Sequence, residues 1–216
     1  MAGTNGDWED RAEDYAAEAL AAGSPTAWFD RIYAAGRRGE VDVPWDKDEA
    51  SPLLVEWAAS REGKGSSALV VGCGMGKDSE FVGGRGYTTT AFDVSDTAVT
   101  FVRERYPDSP VHYTVADLFD PPAEWSRAFD LVVEINTVQA LPVAIRDRAV
   151  AQVGGFVAPG GTLLAIYGAV REDGEPVRVA PPWPLTRAEV ESFATDGLTA
   201  VAIERVGERW QAEFRR

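Results

Sequence analysis

The sequence predicts an α/β fold with a mostly parallel sheet, and two features carry that expectation. The first is the stretch Ala68–Ser95, ALVVGCGMGKDSEFVGGRGYTTTAFDVS. There an apolar run, a glycine turn, a helical segment and a second apolar run ending on an acid follow one another, as in half of a mononucleotide-binding βαβ unit. The second is recurrence: apolar runs of strand length return at Val111–Val115, Phe129–Ile135 and Thr162–Tyr167, separated by segments of helical spacing.

Taken in order, Met1 to about Asp7 is polar and reads as a frayed end. WEDRAEDYAAEALAA, from Trp8 to Ala22, is rich in Ala and Glu and reads as a helix closed by Gly23-Ser24-Pro25. Thr26 to Gly36 is a second helix, with Trp28, Phe29, Ile32 and Tyr33 at helical spacing; Phe29 and Ile32 are expected in the core. Val41 to Trp45 is extended, and Pro52 to Ser60 is a helix leading into the first strand. After the second strand, Ser95-Asp96 caps a helix to about Tyr106. Val143 to Val157 is helical, and Pro159-Gly160-Gly161 turns the chain into the fifth strand. Ala169–Pro184 is a long Pro-rich loop carrying Arg171, Glu172, Asp173 and Arg178 that suits either a lid over the substrate or a solvated connection. Thr186 and Glu189 form a capping box at the start of a helix to about Thr195. Leu198–Val206 and Arg209–Phe214, joined at Gly207-Glu208, read as a hairpin.

Composition narrows the function. The 216 residues suffice for one α/β domain with a sizeable core, and 45% of them are hydrophobic. A formal net charge of −14 disfavours nucleic acid and anionic membrane surfaces, both of which are bound through Lys and Arg. No apolar run is long enough to span a bilayer, and no N-terminal signal pattern stands out. The single cysteine, Cys73, forms no internal disulfide, which fits a reducing cytoplasm. One Cys and one His cannot build a zinc site of the usual type, so no metal is expected.

The glycine turn has its own chemistry. Gly72 and Gly74 can adopt positive φ and let backbone approach a ligand closely. The helix that follows points free N–H groups into the turn. Asp93 stands about twenty residues past the first glycine, where an acid can accept from both hydroxyls of a ribose. A dinucleotide fingerprint would need glycine at position 77, which is Lys77. The nicotinamide-oxidoreductase reading is weakened accordingly.

The turn Gly72-Cys73-Gly74-Met75-Gly76, with its strand before and Asp93 after, resembles the first motif of the class I S-adenosylmethionine-dependent methyltransferases. Pro44-Trp45-Asp46, preceded by WFDRIYAAG and followed by SPLLVEW, is similar to the "PW" segment of the thiopurine and thiol methyltransferase group. That resemblance covers about Trp28 to Ser95; after the fourth strand, INTVQALP departs from the group. It implies a Rossmann-like fold of seven strands, mostly parallel with an antiparallel last strand and helices on both faces. Residues 1–50 would form a helical lid on a methyltransferase domain at 51–216. The cofactor would be S-adenosyl-L-methionine, held by Trp45, Gly72, Cys73, Gly74, Asp93, Val94, Ser95, Asp117, Leu118 and Asn136. A flat Trp45 beside a sulfonium would add a cation–π contact, and Asp117 with Leu118 would hold the adenine. Trp28, Tyr33, Gln139, Tyr167 and Arg171 are candidates to hold the acceptor.

No residue stands out as a catalytic base. Glu134 suits a cofactor contact or the cap of the next turn, and His112, the only histidine, lies well before the carboxyl end of its strand. A thiol, with a pKa of about 8.5, is partly ionised at neutral pH and needs no strong base. This favours a small thiol acceptor, with a phenol or enol, or a non-catalytic cofactor-binding protein, as alternatives. A monomer or a homodimer is expected.

Overall fold

The computed structural model describes residues 7–168, 170–176, 181 and 183–216. Met1–Gly6 and Arg178, on which two expectations fall, lie outside the described residues.

Seven strands form one sheet: β1 Ser67–Val71, β2 Thr88–Asp93, β3 His112–Val115, β4 Phe129–Ile135, β5 Val157–Tyr167, β6 Thr199–Val206 and β7 Arg209–Arg215. Their spatial order is β3-β2-β1-β4-β5-β7-β6. Six strands run parallel and β7 runs against its neighbours β5 and β6. The apolar run of β1 is buried because the strand is flanked on both edges, Val71 lying beside Phe92 of β2 and Glu134 of β4.

The helices are α1 Asp7–Ala21, α2 Ala27–Arg37, α3 Pro52–Ala58, α4 Lys77–Gly84, α5 Asp96–Arg105, α6 Val143–Gly155 and α7 Arg187–Glu191. One sheet face packs on α6 and α7 through residues such as Val153, Phe156 and Phe193. The other packs on α3, α4 and α5 through Leu54, Val82 and Val102. Trp28 and Ile32 of α2 join Ala12, Ala16 and Ala19 of α1 in a separate apolar cluster.

Local chemistry sets several boundaries. Ser95 caps α5, its hydroxyl accepting from Ala98 N at 3.1 Å. Thr186 and Glu189 form the expected capping box, although α7 ends at Glu191 rather than near Thr195. The segment 41–45 is not a strand. Pro159-Gly160-Gly161 does not precede β5 but interrupts it: the pairing steps from Phe129↔Val157 to Leu131↔Thr162, a bulge that Gly160 permits at φ +79°.

Candidate active site

The strand order reverses between β1 and β4, and open α/β sheets leave a crevice at the carboxyl ends of such strands. A cavity of about 770 Å³ lies there. Its floor is the turn after β1. Gly72, Gly74 and Gly76 have φ of +65°, +50° and +89°. A Cβ on Gly72 would stand 2.4 Å from Thr137 Oγ1, and one on Gly74 would stand 3.1 Å from the Tyr33 hydroxyl and 3.4 Å from Trp45 Cδ1. The turn is therefore glycine for space as well as for torsion. Thr137 Oγ1 donates to Val71 O at 2.9 Å, fastening the β4 loop to the end of β1.

Asp93 lies at the end of β2, lines the cavity and is buried. Its two carboxylate oxygens accept from Gly74 N and Ser95 N, each at 3.0 Å. Burial raises its pKa, and those backbone donors oppose the rise. The Val94 N–H and the Tyr33 hydroxyl also hydrogen-bond to it, so its lone-pair sites, about four in number, are largely engaged and a ribose would share them.

The front segment covers this turn. Trp45 Nε1 donates to the Tyr33 hydroxyl at 2.9 Å, and the two rings meet edge to face. Trp28 stacks on Phe29 with centroids 4.1 Å apart and meets Trp45 edge-on. All four line the cavity. Phe29 is thus more than core packing, whereas Ile32 is fully buried as expected. Burial first, then the charge of Asp93, pushes the Tyr33 phenol well above its ordinary pKa. Burial also pushes the Cys73 thiol up. Both stay neutral at physiological pH.

Cys73, Val94, Asp117, Leu118, Asn136 and Gln139 also line the cavity. Asp117 is exposed, its Oδ1 accepting from Phe119 N at 2.8 Å, and Leu118 beside it is buried. Asn136 takes φ +63°, a left-handed conformation Asn tolerates, and its Oδ1 accepts from Gly168 N at 2.6 Å. That bond joins the ends of β4 and β5.

Three expected site residues lie elsewhere. Tyr167 is fully buried against Phe193 on the opposite sheet face; its neighbours Ile166 and Gly168 line the cavity because side chains alternate along a strand. Arg171 is held away by Glu189 Oε2 at 2.7 Å and by Pro184 O, so it ties its loop to α7. Ser95 does not reach the cavity: its hydroxyl caps α5 and donates to Asp30 Oδ1 at 2.6 Å. Glu134 takes the capping role, accepting from Val138 N at 2.9 Å beneath the cavity rim. Burial raises its pKa to about 7. His112 is exposed on β3 and does not line the cavity.

Sequence reasoning missed several contributors. Asp30 reaches from α2 to Ser95 Oγ and Thr97 N, fixing α2 to the start of α5. Asp78, in the first turn of α4, accepts from Ser51 N at 2.7 Å. Arg209, at the start of β7, lines the cavity from the far side. An acid in a helix's first turn was a visible signal for Asp78; for Asp30 and Arg209, whose contacts are distant in sequence, there was none. Arg37–Glu104 and Arg38–Glu40 are surface ion pairs, and Asp46 pairs with Arg105.

Strand order, glycine turn and the acid closing β2 define a class I methyltransferase fold. Residues 68–161 match a family described as "Methyltransferase domain". The chain is similar to thiocyanate methyltransferase 1 of Brassica oleracea, 26% identical over 166 residues, covering 75% of this chain and 71% of that one. It is also similar to a probable thiopurine S-methyltransferase of Yarrowia lipolytica, 23% identical, covering 86% and 91%. Among solved structures, Burkholderia thailandensis 1,6-didemethyltoxoflavin-N1-methyltransferase, with its namesake and S-adenosylhomocysteine bound, superimposes with a TM-score of 0.67 at 18% identity, covering 95% and 90%. Residues 68–161 thus carry a methyltransferase domain, and these likenesses support a class I methyltransferase that uses S-adenosylmethionine. Among the described residues no helix is long and apolar enough to cross a membrane, and no acid, His and Cys cluster could hold a metal.

Proposed function

We propose that this enzyme methylates the sulfur of a small-molecule nucleophile, with residues 1–50 as a lid over a catalytic unit at 51–216. The observation that carries the sulfur reading is the make-up of the cavity wall. Among the described residues no histidine lines it, its phenol and thiol are neutral at physiological pH, and three of its five acids, Asp78, Asp93 and Asp117, already accept from backbone N–H groups. A thiol supplies its own thiolate and needs no proton acceptor there. The named activities of the thiocyanate and thiopurine relatives point to the same element.

When bound, S-adenosylmethionine supplies an electrophilic methyl on a sulfonium, which a nucleophile's lone pair displaces. The chain's own residues bind and orient. The Gly72–Gly74 backbone leaves room for a ligand that any Cβ would take. Asp93 would accept from ribose hydroxyls at the end of β2. Asp117 and Leu118, which line the cavity, would offer an adenine a hydrogen-bond acceptor and an apolar wall. Trp45, braced by Tyr33, presents a flat ring beside Gly74. Trp28 and Gln139, which line the cavity, would face the acceptor, and the stacked aromatics would shield it from water.

The test has two stages. Calorimetry should detect S-adenosylhomocysteine binding, weakened in Asp93→Ala. Matched thiols, phenols and amines should then be offered with S-adenosylmethionine, and mass spectrometry should find the methyl on sulfur. Turnover confined to phenols or amines would overturn the sulfur assignment.

A further inference from the structure

The amino ends of the parallel strands, opposite the cofactor crevice, hold a second cavity of about 600 Å³. It lies between the α3–β1 loop, the α4–β2 loop and one row of the sheet, where Leu131, Thr162 and Arg215 stand side by side in register. The two loops are fastened to each other. Gly63 N and Gly65 N donate to Arg85 O and Gly86 O, each at 2.8 Å, and Thr88 N donates to Ser66 O at 2.9 Å. A Cβ on Gly63 would stand 2.4 Å from Tyr87 N, so this close approach needs glycine. The walls are therefore built before any ligand arrives.

The chain carries a formal charge of −14, yet four cations line this cavity: Arg61, Lys64, Arg85 and Arg215. Two acids accompany them, Glu62 and Asp130, and Asp130 Oδ2 already accepts from Ser67 N and Ser67 Oγ, each at 2.9 Å. Arg61 is partly balanced: it lies over the Trp57 ring and reaches Glu213 at 3.3 Å. Arg85 directs its Nε and one terminal nitrogen to Arg61 O, a carbonyl that leaves its charge unbalanced. Among the described residues Lys64 and Arg215 have no ion pair and no side-chain hydrogen bond. Lys64 also takes φ +49°, a left-handed backbone that strains a lysine and would not strain a glycine. A strained residue whose charge is unpaired points to a use for the side chain. The Tyr87 hydroxyl has no protein partner among the described residues and feels the charges of Arg61, Arg85 and Asp130.

We infer that this cavity is a second binding site, at the pole opposite the cofactor crevice, for a small molecule carrying a phosphate group. The several oxygens of a phosphate accept from guanidinium, ammonium and phenol donors at once. A cleft with an excess of positive charge also concentrates anions against the negative field of the rest of the chain. The cavity is larger than a free phosphate needs, which leaves room for an organic group. The inference stands whichever atom is methylated in the crevice.

The experiment uses the full chain with saturating S-adenosylhomocysteine, which keeps the probes out of the crevice, at an ionic strength held constant with sodium chloride. Inorganic phosphate and phenyl phosphate are titrated by calorimetry. Both should bind saturably, and tighter binding of phenyl phosphate would mark an ester rather than free phosphate as the ligand. Lys64→Gly and Arg215→Gln should each weaken binding about fivefold, and the double variant about tenfold or more. Lys64→Gly should do so with a melting temperature at or above that of the wild type, because glycine relieves the positive φ; a folding defect would lower both. Arg187→Gln removes one positive charge from the distant helix α7 and should leave phosphate affinity unchanged. S-adenosylhomocysteine affinity should be the same in every variant. A wild type that binds neither probe overturns the site. So does binding that Lys64→Gly and Arg215→Gln leave intact, or that Arg187→Gln weakens to the same extent.

Discussion

The two ends of the cavity are built by opposite means. At the glycine turn the polar groups are mutually satisfied: Asp93 accepts two backbone N–H groups and Thr137 holds Val71 O. Elsewhere in the lining, on α2 and on the turn after β4, Trp28 Nε1 and Gln139 Oε1 are buried without partners. The first end is a finished structure to which a ligand is added. The second keeps buried polar atoms that the described residues leave unmet. The difference teaches where to look for what is general in such an enzyme and what is particular to it.

The sharpest way to break this contrast is at the finished end. Gly72→Ala forces a methyl against Thr137 and puts alanine at positive φ, so urea denaturation should show a loss of about 3–4 kcal/mol. Gly84→Ala, where a Cβ meets nothing within 4 Å, is the control and should be neutral or stabilising by about 0.5–1 kcal/mol. Equal losses in the two would refute the packing account of the turn.

Glu134, beneath the turn that joins the two ends, gives a pH signature. Burial holds its folded pKa near 7, against an ordinary value of 4.5. The folded chain thus keeps a proton that the unfolded chain gives up. The stability this group contributes is complete below about pH 4.5 and is lost as pH climbs through 7. The full effect is on the order of 3 kcal/mol. Denaturation at a series of pH values should show this loss in the wild type, and Glu134→Gln should flatten the curve between pH 5 and 8. A parallel decline in both proteins would show that Glu134 is not responsible.

Asp93→Asn sharpens the contrast next. An amide cannot accept from Gly74 N and Ser95 N on its two separate ends, so stability should drop by about 1–3 kcal/mol. Calorimetry should also find S-adenosylhomocysteine binding weakened about tenfold or more. Retained affinity would remove the ribose role. The smallest effect belongs to Tyr33→Phe. It deletes the bond from Trp45 Nε1 while keeping the edge-to-face ring, and should lower stability by about 1 kcal/mol.

How much of this was legible in the chain follows the same division. The turn from Gly72 to Asp93 could be read because its requirements are local: torsions only glycine adopts readily, and an acid one strand further on. The antiparallel final hairpin was equally visible in its alternation around Gly207-Glu208. Tyr167 was misread because the end of a strand fixes height above the sheet but not the face, which depends on register with β4 and β7. Arg171 was misread because its partner Glu189 lies across a loop whose course no spacing dictates. Ser95 was read correctly as a cap, and that same cap withdraws it from the cavity.

Asp30 has a consequence for redesign. Its carboxylate crosses from α2 to Ser95 and Thr97, two and four residues past Asp93. Exchanging the first fifty residues for those of another methyltransferase, to import a new acceptor preference, would also strip the outer support from the loop that positions Asp93. A chimera that respects this stitch, by transplanting the acid together with its serine and threonine, should tolerate the swap; one that ignores it should lose cofactor along with its old acceptor.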